Sequence, residues 1–215
     1  MISNQEIISF LKSRKINAGF IDRLKVRYRP VVCPFNDLLE QVKDGDAVGD
    51  IGCGSGQFLL LVNKFRKPSR VSGIEITDRL IQNANTLFSH ETEKVPYVFN
   101  VYNGKDMGST FAGSDVVFLI DVFHHVPKEQ QVDFIHEIYR VMKPGARLIL
   151  KDIDADSWLV GFNKLHDLVF AGEIGNEFGF SAMEELVKKA GFTIITKFTK
   201  RTFVYPHYFL ILRKP

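Results

Sequence analysis

Residues 47–58, AVGDIGCGSGQF, restrict what this chain can fold into more than any other stretch. Val48 and Ile51 suit the interior of a buried strand, and Asp50 stands where that strand runs out. Gly52, Gly54 and Gly56 then alternate, so no Cβ stands between the backbone and a ligand at those three points. Phe58-Leu-Leu-Leu-Val62 opens an apolar run compatible with a helix. A strand, a glycine turn and a helix start in this order predict a ligand site. The N-terminus of such a helix offers unpaired N–H groups and positive partial charge to an anionic group. A plain strand-to-helix turn would need one glycine.

From Asp46 onward, strand and helix patterns alternate, which argues for parallel βαβ units. Strands are predicted at 46–51, 70–76, 95–102, 114–120 and 146–152, with helices at 56–66, from Thr77-Asp78 to Ser89, and from Pro127 to Met142. Ser181-Ala-Met-Glu184 reads as a capping box opening a helix to Ala190, with Gly191 as its C-cap. Phe192–Lys200 and Phe203–Leu212 read as strands with only Arg201-Thr202 between them. That connection is too short for a parallel crossover, so the last pair is antiparallel. Residues 1–45 read as a helical extension or lid. It has a capping box at Ser3–Glu6, a helical stretch at Ala18–Arg29, and helical spacing of Phe35, Leu38, Leu39 and Val42. Residues 153–180 read as a second lid, carrying Trp158, Phe162, Leu165 and Leu168. With 215 residues and 45% apolar content, the chain is expected to be a single domain, its core at 46–215.

Charge and cysteine content narrow the class. A formal charge of +3 does not imply a nucleic-acid partner. The positive charge gathers near the start, where Lys12, Arg14, Lys15, Arg23, Lys25, Arg27 and Arg29 face only Glu6 and Asp22; this reads as a solvated face, with an anion-attracting flap as the alternative. Cys33 and Cys53 make no disulfide framework. The opening residues lack a basic segment followed by an apolar run, so no signal peptide is expected. Apolar runs such as Val116–Ile120 are far too short for a transmembrane segment. A cytoplasmic protein is expected, with its oligomeric state left open.

The glycine spacing separates two cofactors. A dinucleotide fingerprint needs G-x-G-x-x-G, and here Gln57 stands where the third glycine should be. Asp50-Ile-Gly-Cys-Gly-Ser-Gly56 instead resembles the first motif of class I S-adenosylmethionine-dependent methyltransferases. Further elements extend the resemblance over roughly residues 40–212. Glu75, at the end of the second strand, matches the family's acidic residue at the ribose hydroxyls. Asn103-Gly104 sits where the family usually has an acid near the adenine. Ser114–Asp121 is similar to the fourth motif, and Val141-Met-Lys-Pro-Gly-Ala-Arg-Leu148 to the helix–turn–strand that follows it. The resemblance implies a Rossmann-like α/β fold: a seven-stranded sheet, mostly parallel, of order 3-2-1-4-5-7-6, with an antiparallel last strand and helices on both faces. It also implies S-adenosyl-L-methionine as methyl donor. By the same resemblance, Asp50, Gly52, Cys53, Gly54, Gly56, Glu75, Ile76, Asn103, Gly104 and Asp121 form the cofactor site. Asp50 or Asp121 would offset the ammonium of the methionine portion. Glu75 can accept two hydroxyl hydrogen bonds, since an ionised carboxylate has two acceptor oxygens. Asn103 departs from the family's acid but can still accept from the adenine amino group through its side-chain oxygen; the alternative there is Asp106.

The His124-His125 pair follows the fourth strand, near where the family places the methyl group, and is the catalytic candidate. Imidazole suits the removal of a proton from an attacking hydroxyl near neutral pH. The alternative is that one histidine packs or caps, and that methyl transfer relies on alignment alone. His166, Tyr205 and His207 are further acceptor-side candidates, with Trp158 as a possible wall. No tight metal-ligand spacing is present, so no metal is expected. The segment Asp121-Val-Phe-His124 lacks the Asn/Asp-Pro-Pro-Tyr/Phe element of enzymes that modify exocyclic amines or amides. The expected acceptor is therefore a small molecule methylated on oxygen, as in the quinone- and lipid-biosynthesis enzymes that the chain resembles. The alternatives are an anionic or macromolecular acceptor, such as a lipid, a carrier-bound intermediate or RNA, and a nicotinamide-dependent oxidoreductase.

Overall fold

The computed structural model describes residues 2–14, 33–155, 178–202 and 205–215. The sequence-based helix at 18–29 and nearly all of the 153–180 lid, with Trp158 and His166, lie outside these residues, as does the side chain of Tyr205. The sheet has seven strands in the order β3-β2-β1-β4-β5-β7-β6, the order expected. The chain packs as two compact units, Met1–Asp106 and Met107–Pro215.

In the first unit, α1 (Asn4–Ser13) starts at the expected capping box: Ser3 Oγ accepts from the Glu6 amide, and Glu6 accepts from the Ser3 amide. It buries Ile7 and Leu11. Arg14, just past its end, lies over the Phe10 ring and pairs with the buried carboxylate of Glu91 at 2.8 Å. Next come α2 (Phe35–Leu39), β1 (Ala47–Ile51), α3 (Gln57–Phe65), β2 (Arg70–Glu75), α4 (Asp78–Ser89) and β3 (Tyr97–Val101). β1, β2 and β3 pair in parallel. β1 is buried along its whole length, as is the run Phe58–Val62 in α3. Each buried Val, Leu, Ile or Phe of these two runs contributes about 1.5–3 kcal/mol relative to exposure. Aromatic pairs close the layer, Phe35 on Phe58 and Phe88 on Phe99, with ring centroids 5.9 and 5.0 Å apart.

The second unit holds β4 (Val116–Ile120), two 3₁₀ turns (Phe123–His125 and Lys128–Gln130), α5 (Gln131–Val141), β5 (Arg147–Ile153), α6 (Phe180–Lys189), β6 (Thr193–Thr202) and β7 (Tyr205–Arg213). β4 runs parallel to β5, whereas β7 is antiparallel to both β5 and β6. The Ser181 capping box is not formed. α6 begins at Phe180 with Gly179 as an N-cap that makes no side-chain bond, and Glu184 turns to Lys197 of β6 at 2.9 Å. Thr77 is likewise the N-cap of α4 without a side-chain bond. The ammonium of Lys214 caps the end of α5, donating to the carbonyls of Tyr139 and Met142 at 2.8 and 2.7 Å.

Candidate active site

The glycine loop after β1 is built by three residues in the left-handed region, with φ of 72° at Gly52, 53° at Gly54 and 75° at Gly56. The three serve different ends. A Cβ at Gly56 would meet Ala84 Cβ of α4 at 3.1 Å, so this glycine lets α3 approach its neighbour. A Cβ at Gly54 would meet nothing within 4 Å, so this glycine faces open space. The loop amides are not the bare cradle expected from the sequence. Those of Gly52 and Cys53 both donate to the Ile74 carbonyl, and that of Gly56 donates to the Cys53 carbonyl. The amide of Gly54 donates to Glu75 Oε2 at 3.1 Å. Folding the loop onto the end of β2 consumes these N–H groups, because an unsatisfied buried donor is costly.

Glu75 is half-buried, and its other oxygen accepts from the Thr77 amide at 3.1 Å. Each carboxylate oxygen has two lone pairs, so acceptor capacity remains on both. Ile76 follows with 66% of its surface exposed, an apolar side chain left in water beside an acid. Cys53 is buried. It occupies space that Gly73 leaves in β2, where a Cβ would stand 2.7 Å from Cys53 Sγ. Asp50 is buried at 3% exposure opposite Gly73 in the strand register. After β3, Asn103 is exposed, and its side-chain oxygen accepts from the amides of Lys105 and Asp106, both at 2.9 Å. This turn, completed by Gly104 at φ 84°, fixes Asn103 as a structural residue and leaves the exposed Asp106 beside it.

In the second unit, Asp121 directly follows β4 with φ 54°, a positive value that only glycines share among the other described residues. Such a conformation costs of order 1–3 kcal/mol and is held by its surroundings. The hold is Lys151 of β5, whose ammonium lies 2.5 Å from Asp121 Oδ1 and whose carbonyl accepts from the Asp121 amide. The next residue, Asp152, points to the other face of the strand. Its Oδ1 lies 2.5 Å from His124 Nδ1, and its Oδ2 accepts from the His124 amide at 3.3 Å. Oδ1 also accepts from the Ile153 amide at 2.7 Å. His124 and Asp152 are both buried, while His125 is exposed and its ring centroid lies 4.1 Å from that of His124.

Tyr208 of β7 stands opposite Asp152 in the register and is fully buried, stacked on Phe180. Among the described residues its hydroxyl has no hydrogen-bond partner. Burial, and then the carboxylates of Asp152, Asp154 and Asp121, push its pKa well above the ordinary value, so it stays protonated. His207 is buried next to it in the strand.

The structure thus brings Glu75, Gly54 and Ile76 together in one unit, and Asp121, His124 and Asp152 in the other. Lys151, Tyr208, Gly73 and the pairing role of Asp152 were missed by sequence reading. The available signal was Lys151-Asp152 itself, a polar pair ending an otherwise apolar strand. Among the described residues no group of three His, Cys, Asp or Glu side chains is placed to hold a metal ion. No helix among them is long and apolar enough to cross a membrane.

A family model described as a methyltransferase domain matches residues 27–197. Arsenite methyltransferase of Mus musculus is 26% identical over 152 residues, covering 66% of this chain and 40% of that protein. The mitochondrial ubiquinone biosynthesis O-methyltransferase of Schizosaccharomyces pombe is 30% identical over 112 residues, covering 51% of this chain and 38% of that protein. The chain therefore spans less than half the length of these two curated relatives. Magnesium protoporphyrin IX methyltransferase from Synechocystis, solved with bound SAH, superimposes with a TM-score of 0.70 at 17% identity. That alignment covers 99% of this chain and 95% of that one. The family match spans most of the sequence, and the sheet order is the one its motifs implied: this chain belongs to the class I S-adenosylmethionine-dependent methyltransferase family.

Proposed function

We propose that this chain transfers a methyl group from S-adenosylmethionine to a small-molecule acceptor, with oxygen as the favoured atom. The observation that carries the donor half is the Glu75 end of β2. A carboxylate tied to the Gly54 amide stands beside an exposed Ile76 and an open glycine turn. This set fits a ligand with a diol and a flat base: Glu75 would accept from the hydroxyls, and Ile76 would offer an apolar surface to the ring. Asp106, rather than Asn103, is assigned to the exocyclic amine, because the Asn103 oxygen already holds the turn. Asp50 and Asp121 are the candidates for the ammonium. Asp121 also holds the Lys151 ammonium. When bound, the cofactor supplies an electrophilic methyl group on a positively charged sulfur.

Oxygen as the favoured atom is supported by the His124–His125 pair and by the S. pombe relative, whose name is that of an O-methyltransferase. The oxidoreductase alternative is set aside by the family match. The test has two stages. Calorimetric titration with S-adenosylmethionine and with NADH is expected to give heat with the first alone. Incubation with methyl-labelled cofactor and a panel of oxygen, nitrogen and carbon acceptors then reads the atom. Transfer confined to nitrogen acceptors would overturn the oxygen assignment.

A further inference from the structure

We propose that the outer edge of β3 is a self-association surface, on which a second copy of this chain pairs its own β3 antiparallel about a two-fold axis at Phe99. The inference concerns the first unit and does not depend on the methyltransferase reading. The sheet ends on two strands, β3 and β6, and their sequences differ in kind. β6 carries the exposed cations Lys197, Lys200 and Arg201 and a register shift between Ile194 and Thr196. Charges and bulges are the devices that keep an edge strand from pairing with another chain. β3 has neither. No side chain from Val95 to Gly104 is charged, and the register of β3 on β2 is unbroken. Val98 and Val101 are 43% and 49% exposed. Among the described residues no strand lies beyond β3.

Two backbone bonds give the direction of its outward groups. The Val71 amide donates to the Pro96 carbonyl, and the Tyr102 amide donates to the Glu75 carbonyl. Successive strand residues turn their N–H and C=O to opposite sides. Pro96, Val98, Asn100 and Tyr102 therefore turn these groups to β2, and Tyr97, Phe99 and Val101 turn theirs outward. An antiparallel partner has to set outward residues against outward residues. A two-fold axis at Phe99 does so for the whole strand. Phe99 meets its own copy, and Tyr97 meets Val101 of the second copy, each pair exchanging two N–H···O=C bonds. An axis at Tyr97 or at Val101 would pair fewer of them.

Side chains and charges agree with this register. The exposed Val101 covers the half-buried Tyr97 of the second copy, and Val98 stands diagonally from its own copy. α4 lies over the strand, with the Phe88 ring 5.2 Å from that of Tyr97 and 5.0 Å from that of Phe99. From Leu80 to Ser89 it has no charged side chain, so two copies of α4 can lie side by side on one face of the continued sheet. Continued past the strand, the register sets the exposed Glu93 against the exposed Lys105 of the second copy, at both ends of the contact. Lys94 and Asp106 fall against the uncharged Gly104 and Thr92. Parallel pairing would instead set Glu93 against Glu93 and Lys105 against Lys105. The edge thus matches itself in hydrogen bonds and in charge, which is what an isologous contact requires of its occupant.

The test is sedimentation equilibrium over a micromolar concentration series, with circular dichroism to show that each variant is folded. The wild type should be a dimer. Val101→Pro removes an outward amide and no bond to β2, and should raise the dimer dissociation constant at least about tenfold. Glu93→Lys sets like charges against each other at both ends and should also raise it about tenfold. Adding Lys105→Glu to that variant restores opposite signs and should return the constant to within about threefold of the wild type. Amide exchange at Tyr97, Phe99 and Val101 should be slower in the wild type than in Glu93→Lys. A monomeric wild type overturns the proposal, as does a dimer whose constant none of these variants changes. A double variant as weak as Glu93→Lys would show that the two side chains do not meet and overturn the register.

Discussion

The ammonium of Lys151 sits 2.5 Å from Asp121 Oδ1 while the Lys151 carbonyl accepts from the Asp121 amide, so β5 grips the strained residue at the end of β4 by two bonds. The two partners are unequally placed. The Lys151 side chain is 1% exposed and that of Asp121 24%. Removing Asp121 strands a charge in the interior, whereas removing Lys151 leaves a carboxylate that water can reach. Asp121→Ala should therefore cost about 3–5 kcal/mol of stability, and Lys151→Met less than about 2 kcal/mol. Urea unfolding of the two variants measures the difference, and equal losses would show that the asymmetry of burial is not what matters.

Glu75 carries two kinds of work, holding the Gly54 and Thr77 amides and, in the proposed reading, the cofactor's diol. Glu75→Ala should raise the S-adenosylmethionine dissociation constant at least about tenfold, or about 1.4 kcal/mol. Glu75→Gln, which keeps a carbonyl oxygen for one of the amides, should lose less. Calorimetry reads both, and an unchanged constant for the alanine variant would move the ribose site elsewhere.

Two glycines of this region should respond in opposite ways. A Cβ at Gly73 would stand 2.7 Å from Cys53 Sγ and 2.9 Å from Cys53 Cβ. Gly73→Ala should therefore cost about 1–3 kcal/mol of stability through overpacking. A Cβ at Gly54 meets nothing, so Gly54→Ala bears only the left-handed backbone, roughly 1–2 kcal/mol. Its larger effect should fall on cofactor affinity, because the methyl group would project into the open side of the loop. Thermal unfolding paired with calorimetry separates the two outcomes.

The sheet order was legible because each signal for it is local. Glycines after β1, an acid after β2, an unbroken apolar β4 and a two-residue link before the last strand can all be read within a few positions. The His124–Asp152 contact was not legible, since its partners are 28 residues apart and meet only through the pairing of β4 with β5. The loop amides were misjudged for a related reason. The partners of the Gly52, Cys53 and Gly54 amides, the Ile74 carbonyl and the Glu75 carboxylate, belong to the neighbouring strand, and a helix start viewed alone leaves these amides open. Ser181-Ala-Met-Glu184 shows the reverse failure. The local pattern is a good capping box, yet tertiary pairing draws Glu184 to Lys197 and the helix starts two residues earlier. Of the two residues expected at the adenine, Asn103 has its side-chain oxygen engaged by its own turn, a contact over two and three residues that the sequence did not single out.

Tyr208 offers a test of the buried polar cluster on stability alone. Its hydroxyl is buried and has no hydrogen-bond partner among the described residues, an arrangement that costs about 1–3 kcal/mol. Tyr208→Phe keeps the ring on Phe180 and removes only the oxygen, so the variant should match or exceed the wild type in stability near neutral pH. The pH dependence has a definite sign. The folded-state pKa is raised above the ordinary 10.0, chiefly by burial and then by Asp152, Asp154 and Asp121. Below pH 10.0 the hydroxyl is protonated in both states and contributes no slope. Above it the unfolded chain releases the proton and the folded chain does not, so the folded state holds more protons and stability falls as pH rises. The wild type should accordingly lose stability faster than Tyr208→Phe on the alkaline side, with the two curves parallel below pH 10.0. Guanidinium unfolding at a series of pH values from 7 to 11 would show it. Parallel curves over the whole range would mean that the hydroxyl reaches solvent, or finds a partner, when the protein is in solution.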